Sequence, residues 1–308
     1  MPSASAPGKV ILLGEHAVVF GQPAIAAAIN LRLRCRFTKS SVTTLNGMDL
    51  TSSTHPYVST AIRVAERGGN CSIETESDIP SGSGLGSSAA VSVATLAALT
   101  TTGNRIDEAA VAGKAFEVES IVQGRASPID TSVSTHGAGV FVDQVEGAAL
   151  LWHIKRDTRE WYIHHCDVPK FSLVVGYTGV NAPTGPLVAK VKRYHARTVF
   201  ARETIEDIGQ LTREAIPKMR KNDVVGLGEL MTRDHRLLAI LGVSTPSLDK
   251  LVEGCLPFSY GAKLTGAGGG GSMIALTDRP GKVEEAIKRR GGTPYVISIG
   301  EPGVRLEE

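Results

Sequence analysis

The feature that most constrains this chain is a glycine- and serine-rich segment that joins a strand-like stretch to a long apolar run. The segment, residues 80–90, reads PSGSGLGSSAA and has glycines at positions 82, 84 and 86. Glycine allows φ > 0 and close backbone approach, and a helix that begins at the following serines would present unpaired N–H groups and the positive end of its dipole. Such a turn suits a phosphate group. A flexible turn before a core helix is the alternative.

The segment matches neither of the two common glycine-rich phosphate motifs. A Walker A loop needs Gly-Lys followed by Ser or Thr, and residues 80–90 contain no lysine. The dinucleotide-binding motif has the spacing Gly-x-Gly-x-x-Gly, whereas the three glycines here alternate with single residues. The sequence therefore predicts a phosphate site of another class.

Length, composition and charge favour a two-domain protein that acts on small molecules. The 308 residues are 42% hydrophobic, which is enough for two ordinary cores. We predict an N-terminal domain over residues 1–167 and a C-terminal domain over residues 168–308, because the pattern of elements restarts near 165–170. The formal net charge is +2 and aromatic residues make up 5%, so neither nucleic acid nor a membrane is a predicted partner.

The cysteines and the apolar runs bear on the compartment. Cys35, Cys71, Cys166 and Cys255 lie far apart and no secretory signal precedes them, which predicts reduced thiols in a cytoplasmic protein. The longest apolar run, residues 89–100, is too short to span a bilayer. The histidines and cysteine of the stretch 153–166 fit no familiar zinc spacing, so no metal is predicted there.

The order of the predicted elements favours an α+β fold, because strands and helices mix without a regular βαβ repeat. Residues 31–38 alternate apolar side chains with arginines at 32, 34 and 36, which predicts a strand with one solvated face. Asp107 is a predicted N-cap, and residues 125–130 are expected to form a loop. The other elements that matter here are predicted strands at 9–13, 71–75 and 171–176 and helices at 56–67, 86–102 and 107–123.

Glu119 is the carboxylate whose position is most informative. At about 100° per residue it falls on the same side of its helix as Ala112, Ala115 and Phe116, so it points inward. A buried carboxylate without a partner is costly and should therefore meet a cation. A structural ion pair and a magnesium site explain this position equally well.

Other polar residues and a second glycine-rich segment are further candidates. Asp130 is as typical of a turn or cap as of a catalytic base. Lys9, Glu15 and His16 flank a short strand, where a solvated strand end is the ordinary interpretation and a polar substrate site the alternative. Residues 266–271 contain five glycines in six positions, which costs more backbone entropy than a simple turn requires. Convergence of the two glycine-rich segments on one ligand would explain both.

Three linked segments resemble the three signatures of the GHMP kinase family. They are residues 7–21 (PGKVILLGEHAVVFG), 80–90 and 263–271 (KLTGAGGGG), in the family's order and separation. The form GEHAVV resembles the branch that phosphorylates mevalonate, and so does the stretch 178–188 (TGVNAPTGPLV). Galactokinases usually continue Gly-Glu-His into Thr-Asp instead. The resemblance runs nearly from end to end, and the compact length is similar to that of the archaeal members.

The resemblance implies an N-terminal domain like the second domain of ribosomal protein S5 and a ferredoxin-like C-terminal domain, with the active site between them. It implies phosphorylation of the C5 hydroxyl of mevalonate, with ATP and Mg²⁺, to give 5-phosphomevalonate and ADP. Ser88 and Glu119 would hold the magnesium, and Asp130 would be the general base, with Lys9 nearby to favour the alkoxide. The substrate would also meet Glu15, His16 and Thr184. The residues implied at the ATP phosphates are Pro80, Ser81, Gly82, Ser83, Gly84, Leu85, Gly86, Ser87 and Ser88.

Two other functions stay open from the sequence. One is another kinase of the same family that acts on phosphomevalonate, a sugar or homoserine. The other is a non-catalytic binding protein on the same fold, for which the basic cluster within residues 190–197 is the support, although the solvated face of a helix explains it more simply. A homodimer also stays open.

Overall fold

The structure, a computed structural model, describes residues 2–66, 68–124, 127–169, 171–181 and 184–307. Within them, strands and helices are mixed along the chain, and two short 3-10 helices cover Ala17–Phe20 and Leu256–Phe258. The strands are β1 (Ser3–Leu13), β2 (Ala24–Lys39), β3 (Thr44–Leu45), β4 (Met48–Asp49), β5 (Cys71–Ser77), β6 (Gly139–Asp143), β7 (Leu150–Arg156), β8 (Arg159–Cys166), β9 (Ser172–Tyr177), β10 (Gly261–Thr265), β11 (Ser272–Thr277), β12 (Thr293–Ser298) and β13 (Arg305–Glu307). The helices are α1 (Pro56–Val64), α2 (Ser87–Thr100), α3 (Glu108–Gln123), α4 (Ile129–His136), α5 (Thr184–Arg197), α6 (Val199–Arg220), α7 (Val224–Ile240), α8 (Pro246–Cys255) and α9 (Pro280–Arg289).

The first sheet is organised around the long strand β2. Within the described residues its main path is β4-β3-β5-β2-β6-β8-β7, and β1 pairs with both β2 and β13. Helix α2 packs against β1 and β2 and against helices α1 and α3. It can be central because its alanines allow close approach, and Val93, Leu96 and Leu99 are almost fully buried. No helix in the described ranges is both long and apolar enough to cross a membrane.

The second sheet has four antiparallel strands within the described part of the chain, in the order β10-β11-β9-β12. In chain order this is a 2-3-1-4 arrangement, with helices between the first and second strands and α9 between the third and fourth. That is the split βαβ topology of ferredoxin-like folds. The expected α+β fold with a ferredoxin-like C-terminal half is confirmed.

The expectation that Asp130 lies in a loop is wrong. Asp130 occupies the first turn of α4, which begins at Ile129. The sequence IDTSVSTH hides this helix because most of its residues are β-branched or carry hydroxyls and have modest helix propensity. The helix forms because Ile129 and Val133 are buried. The other part of the predicted loop, residues 125–126, lies outside the described residues, as do residues 182–183 of the stretch 178–188.

The prediction of a fully solvated arginine face on β2 is also wrong at Arg32. This side chain is buried, and its guanidinium donates hydrogen bonds to the carbonyl oxygens of Pro302 and Gly303, both at 2.8 Å. The cause lies at the end of the chain, where β13 returns to pair with β1 of the first sheet. The domain division at 167/168 stays a prediction. Strand β13 lies after that division in the chain but pairs with β1, which lies before it. Asp107 caps α3 as expected, accepting from the Ala110 N–H at 3.0 Å.

Candidate active site

The glycine-rich loop before α2 has the backbone conformation that its sequence predicts. Gly82, Gly84 and Gly86 have φ of 69°, 79° and 82°. Gly86 is the N-cap of α2 and provides no side-chain cap, so the first-turn N–H groups of α2 remain available to a ligand. A Cβ at Gly86 would lie 2.7 Å from Cγ of Lys9, so glycine is also required here for space. The loop is fixed to β1, because the Lys9 N–H donates to the Leu85 carbonyl at 2.8 Å.

The second glycine-rich segment lies beside this loop, as predicted from the sequence. A Cβ at Gly266 would lie 3.5 Å from the Gly84 carbonyl oxygen, and one at Gly271 would lie 3.5 Å from that of Ser83. The Gly271 N–H donates to the Val180 carbonyl at 2.7 Å. The two segments therefore form adjoining backbone surfaces, and their use by one ligand stays a prediction.

Lys9 and Asp130 come together next to the loop. Lys9, on β1, places its Nζ 3.2 Å from Asp130 Oδ1 and donates to the Gly84 carbonyl at 3.3 Å. The Lys9 side chain is 3% exposed and that of Asp130 is 28% exposed. A buried ammonium thus faces a carboxylate that solvent and a ligand can reach.

Ser88 and Glu119 form a second polar group on the same wall. Ser88, in the first turn of α2, donates from Oγ to Glu119 Oε1 at 3.0 Å, and Gln123 Nε2 donates to the same oxygen at 3.4 Å. Burial, and then the negative charge of Asp130, raises the pKa of Glu119 to about 8. Glu119 is 2% exposed, so the predicted inward direction of this carboxylate is confirmed.

The Ser88 hydroxyl and the Glu119 carboxylate fit a magnesium ion better than a metal ion whose ligands all come from the protein. The described residues contain no group of three or more His, Cys, Asp or Glu able to hold a metal by themselves. Magnesium is usually bound by one or two protein carboxylates, with substrate phosphates and waters as its other ligands. The donor set fits that chemistry, because a buried carboxylate and a hydroxyl lie at the start of the helix to which the loop leads.

A cavity of about 840 Å³ joins these groups. Its wall also includes His55 and Tyr57 of the α1 region and Thr184 of α5. Two residues predicted at the phosphates are absent from the lining: Leu85 is 1% exposed within the hydrophobic core, and Pro80 accepts the Ser83 hydroxyl on its carbonyl at 2.7 Å. The predicted residues that line the cavity are Lys9, Glu15, His16, Ser81, Gly82, Ser83, Gly84, Gly86, Ser87, Ser88, Glu119, Asp130 and Thr184.

Glu15 belongs to a buried charge cluster that sequence reasoning missed. Its carboxylate pairs with Lys263 of β10, and Lys263 Nζ lies 3.3 Å from Asp234 Oδ2 of α7. Glu15 is 1% exposed and the other two are fully buried. Burial raises the pKa of Asp234 well above its usual value. The only local sequence signal was a lysine between Ala262 and Leu264 in β10, because the approach of Asp234 depends on tertiary packing.

His16 is held beside this cluster by its backbone and its ring. Its φ is 61°, and its Nε2 lies 2.8 Å from the Ala267 carbonyl oxygen. Burial is the main cause that lowers the pKa of His16. The Ile11 N–H donates to Thr265 Oγ1 at 3.0 Å, which adds a further link between β1 and β10. The first and third glycine-containing signatures therefore meet at a junction between the two sheets.

Comparison with known proteins assigns the class. The model of the GHMP kinases N terminal domain matches residues 56–138, and that of the GHMP kinases C terminal region matches residues 215–292. The chain is 37% identical to a mevalonate kinase of Pyrococcus abyssi over 99% of this chain and 97% of that one. It is 36% identical to a mevalonate kinase of Archaeoglobus fulgidus over 99% of each. The crystal structure of Methanococcus jannaschii mevalonate kinase matches with a TM-score of 0.74 and 27% identity, covering 99% of this chain and 98% of that one.

The chain belongs to the GHMP kinase family, and it is an ATP-dependent phosphotransferase with an alcohol acceptor. Within the family it groups with the archaeal mevalonate kinases, which it matches along nearly its whole length.

Proposed function

We propose that this protein transfers the γ-phosphoryl group of ATP to the C5 hydroxyl of mevalonate, giving ADP and 5-phosphomevalonate. The observation that carries the proposal is the Lys9–Asp130 pair, which lies 3.2 Å apart beside the loop that precedes α2. Transfer of a phosphoryl group to an alcohol requires a carboxylate that can take the hydroxyl proton and an ammonium that offsets negative charge, next to a backbone that can bind phosphate. The archaeal relatives, all named mevalonate kinase, indicate which alcohol this is.

The transfer itself needs few protein groups. The C5 oxygen forms a bond to the γ-phosphorus while the bond from that phosphorus to the β–γ bridging oxygen breaks, and ADP leaves with that oxygen. Asp130 accepts the hydroxyl proton, and Lys9 offsets negative charge on the acceptor oxygen and the moving phosphoryl group. Because the transition state is loose, positioning and charge neutralisation supply most of the catalysis.

Ser88 and Glu119 are the proposed magnesium ligands. When bound, the ion would supply positive charge that offsets the negative charge of the ATP phosphates. The protein's part is to keep the two oxygens together, with the Ser88 hydroxyl 3.0 Å from Glu119 Oε1. The first-turn N–H groups of α2, which have no side-chain cap, and the glycine-rich loop would bind phosphate oxygens through the backbone.

The acceptor is proposed to lie between the Lys9–Asp130 pair and the wall formed by His16 and Thr184, all of which line the cavity. Glu15 also reaches this wall, although its carboxylate is engaged by Lys263. We further propose that the protein works in the cytoplasm, because its four cysteines are buried free thiols.

The test is an acceptor panel with the purified full chain, ATP and Mg²⁺. Mevalonate, 5-phosphomevalonate, galactose and homoserine are supplied separately, ADP release is followed continuously, and ³¹P NMR identifies the product. We expect ADP and 5-phosphomevalonate with mevalonate, and a much slower reaction in the Asp130→Asn variant. Preference for another acceptor, or nucleotide binding without turnover, would reject the proposal.

A further inference from the structure

Tyr57 and Gln123 extend the Ser88–Glu119 group away from the cavity. Tyr57, on α1, is half-buried and lines the cavity. Gln123, in the last turn of α3, lies one helical turn after Glu119 and therefore on the same face. Its Nε2 donates to the Tyr57 hydroxyl at 3.1 Å and to Glu119 Oε1 at 3.4 Å. Three helices thus contribute to one network.

The donors and acceptors in this network have a definite order. A glutamine amide carries two N–H donors on one nitrogen, and here one is directed at each neighbour. The Tyr57 oxygen accepts, so it fixes which side of the amide presents its N–H groups to Glu119. The Ser88 hydroxyl donates to that same Glu119 oxygen, and a side-chain hydrogen bond between Ser88 and Tyr57 links the phenol directly to this group as well.

We propose that Tyr57 and Gln123 are positioning residues for the metal-binding oxygens of Ser88 and Glu119, an inference that rests on the proposed function. The terminal torsion of a glutamate is soft, so this carboxylate needs outside contacts to keep one orientation. Gln123 supplies the contact and Tyr57 fixes Gln123. Neither residue has to touch the metal. Partners of this kind around metal ligands typically change metal affinity by about 10- to 100-fold.

A direct contact between Tyr57 and the nucleotide is the competing explanation, since its ring lines the same cavity. The two explanations differ when no metal is present. A nucleotide contact would weaken binding of metal-free ATP, whereas a positioning role would leave that binding unchanged and weaken only the metal.

The experiment measures binding and not turnover. Free Mn²⁺ is followed by electron paramagnetic resonance in the presence of a non-hydrolysable ATP analogue, with the full chain and its Tyr57→Phe and Gln123→Met variants. We expect about tenfold weaker Mn²⁺ binding for Gln123→Met and a smaller loss for Tyr57→Phe, since that variant leaves the amide in place. Affinity for the metal-free analogue should stay within about twofold, well below a tenfold effect.

The controls separate this inference from the function on which it rests. Glu117→Gln, an exposed change on the same helix, should bind Mn²⁺ like the wild type, and Glu119→Gln should lose the ion. Unchanged Mn²⁺ affinity in both Tyr57→Phe and Gln123→Met, or an equal loss of metal-free nucleotide binding, would overturn the inference. Because the assay contains no mevalonate, failure of the acceptor panel would reject the proposed substrate and leave this result intact.

Discussion

Two buried lysines, Lys9 on β1 and Lys263 on β10, face carboxylates in very different surroundings. Lys263 pairs with Glu15 and Asp234, and none of the three is more than 1% exposed. Lys9 is nearly as buried, but its partner Asp130 is 28% exposed and lines the cavity. The same pairing therefore has two uses. The closed cluster joins the two sheets, and the open pair leaves a carboxylate available to an acceptor.

The closed cluster also contains more acid than base. Two carboxylates share one ammonium, and burial raises the pKa of Asp234 well above its usual value. Burial therefore disfavours the charged form of Asp234. Burying charged groups costs desolvation free energy, and removing one partner leaves the other buried charge without compensation.

The largest expected effect comes from Lys263→Met. It would leave Glu15 buried without its cation, so we expect the free energy of unfolding to fall by about 3–5 kcal/mol. Urea unfolding followed by circular dichroism measures this. A loss of unfolding free energy below about 1 kcal/mol, the usual value of an exposed ion pair, would show that the cluster does not stabilise the contact between the two sheets.

Lys9→Met should act on turnover. We expect kcat to fall by about 10²- to 10³-fold, typical of removing one group that stabilises transition-state charge, with KM for ATP little changed. Its loss of unfolding free energy should be smaller than that of Lys263→Met, because Asp130 can be solvated. Near-normal kcat would remove Lys9 from the chemistry and end the contrast between the two lysines.

Magnesium binding by Ser88 and Glu119, which line the cavity, should also depend on pH. Because the pKa of Glu119 is raised to about 8, protons compete with magnesium below that pH. The apparent Mg²⁺ dissociation constant should therefore rise as pH falls, approaching about tenfold per unit well below the pKa. Mg²⁺ titrations with the ATP analogue at several pH values between 6 and 9, on both sides of the raised pKa of Glu119, would measure this dependence. A flat profile would contradict Glu119 as a ligand.

Asp234→Asn should have the smallest effect. Burial disfavours a charge at this position, and an uncharged amide avoids that penalty, so we expect a loss of unfolding free energy of about 1 kcal/mol or less. The sign of the pH dependence provides a second readout. A carboxyl group whose folded pKa is raised contributes stability that is fully present below its unfolded pKa and is lost as pH rises through the folded one, so the wild type should lose more stability than the variant over that range. A loss as large as that of Lys263→Met would contradict this expectation and show that the Asp234 carboxyl group stabilises the cluster as much as Lys263 does.

The sequence predicted the parts of the site that depend on local geometry. The glycines at 82, 84 and 86 require left-handed φ, and helical periodicity correctly directed Glu119 inward. It missed α4, because stabilisation of that helix comes from burial of Ile129 and Val133 and not from propensity. The convergence of the two glycine-rich segments was expected, but other contacts between distant segments were not. No local sequence pattern indicates that Lys263 contacts Asp234 or that the Pro302 carbonyl accepts a hydrogen bond from Arg32.

The most direct test of the account is kcat for mevalonate phosphorylation in Asp130→Asn. Asparagine keeps the shape of the side chain but cannot accept the C5 hydroxyl proton as a carboxylate does. We expect kcat to fall by about 10²-fold or more, and the free energy of unfolding to fall by less than in Lys263→Met, because the amide oxygen can still accept a hydrogen bond from the Lys9 ammonium. A variant that forms 5-phosphomevalonate at close to the wild-type rate would contradict the assignment of the reaction to the Lys9–Asp130 pair.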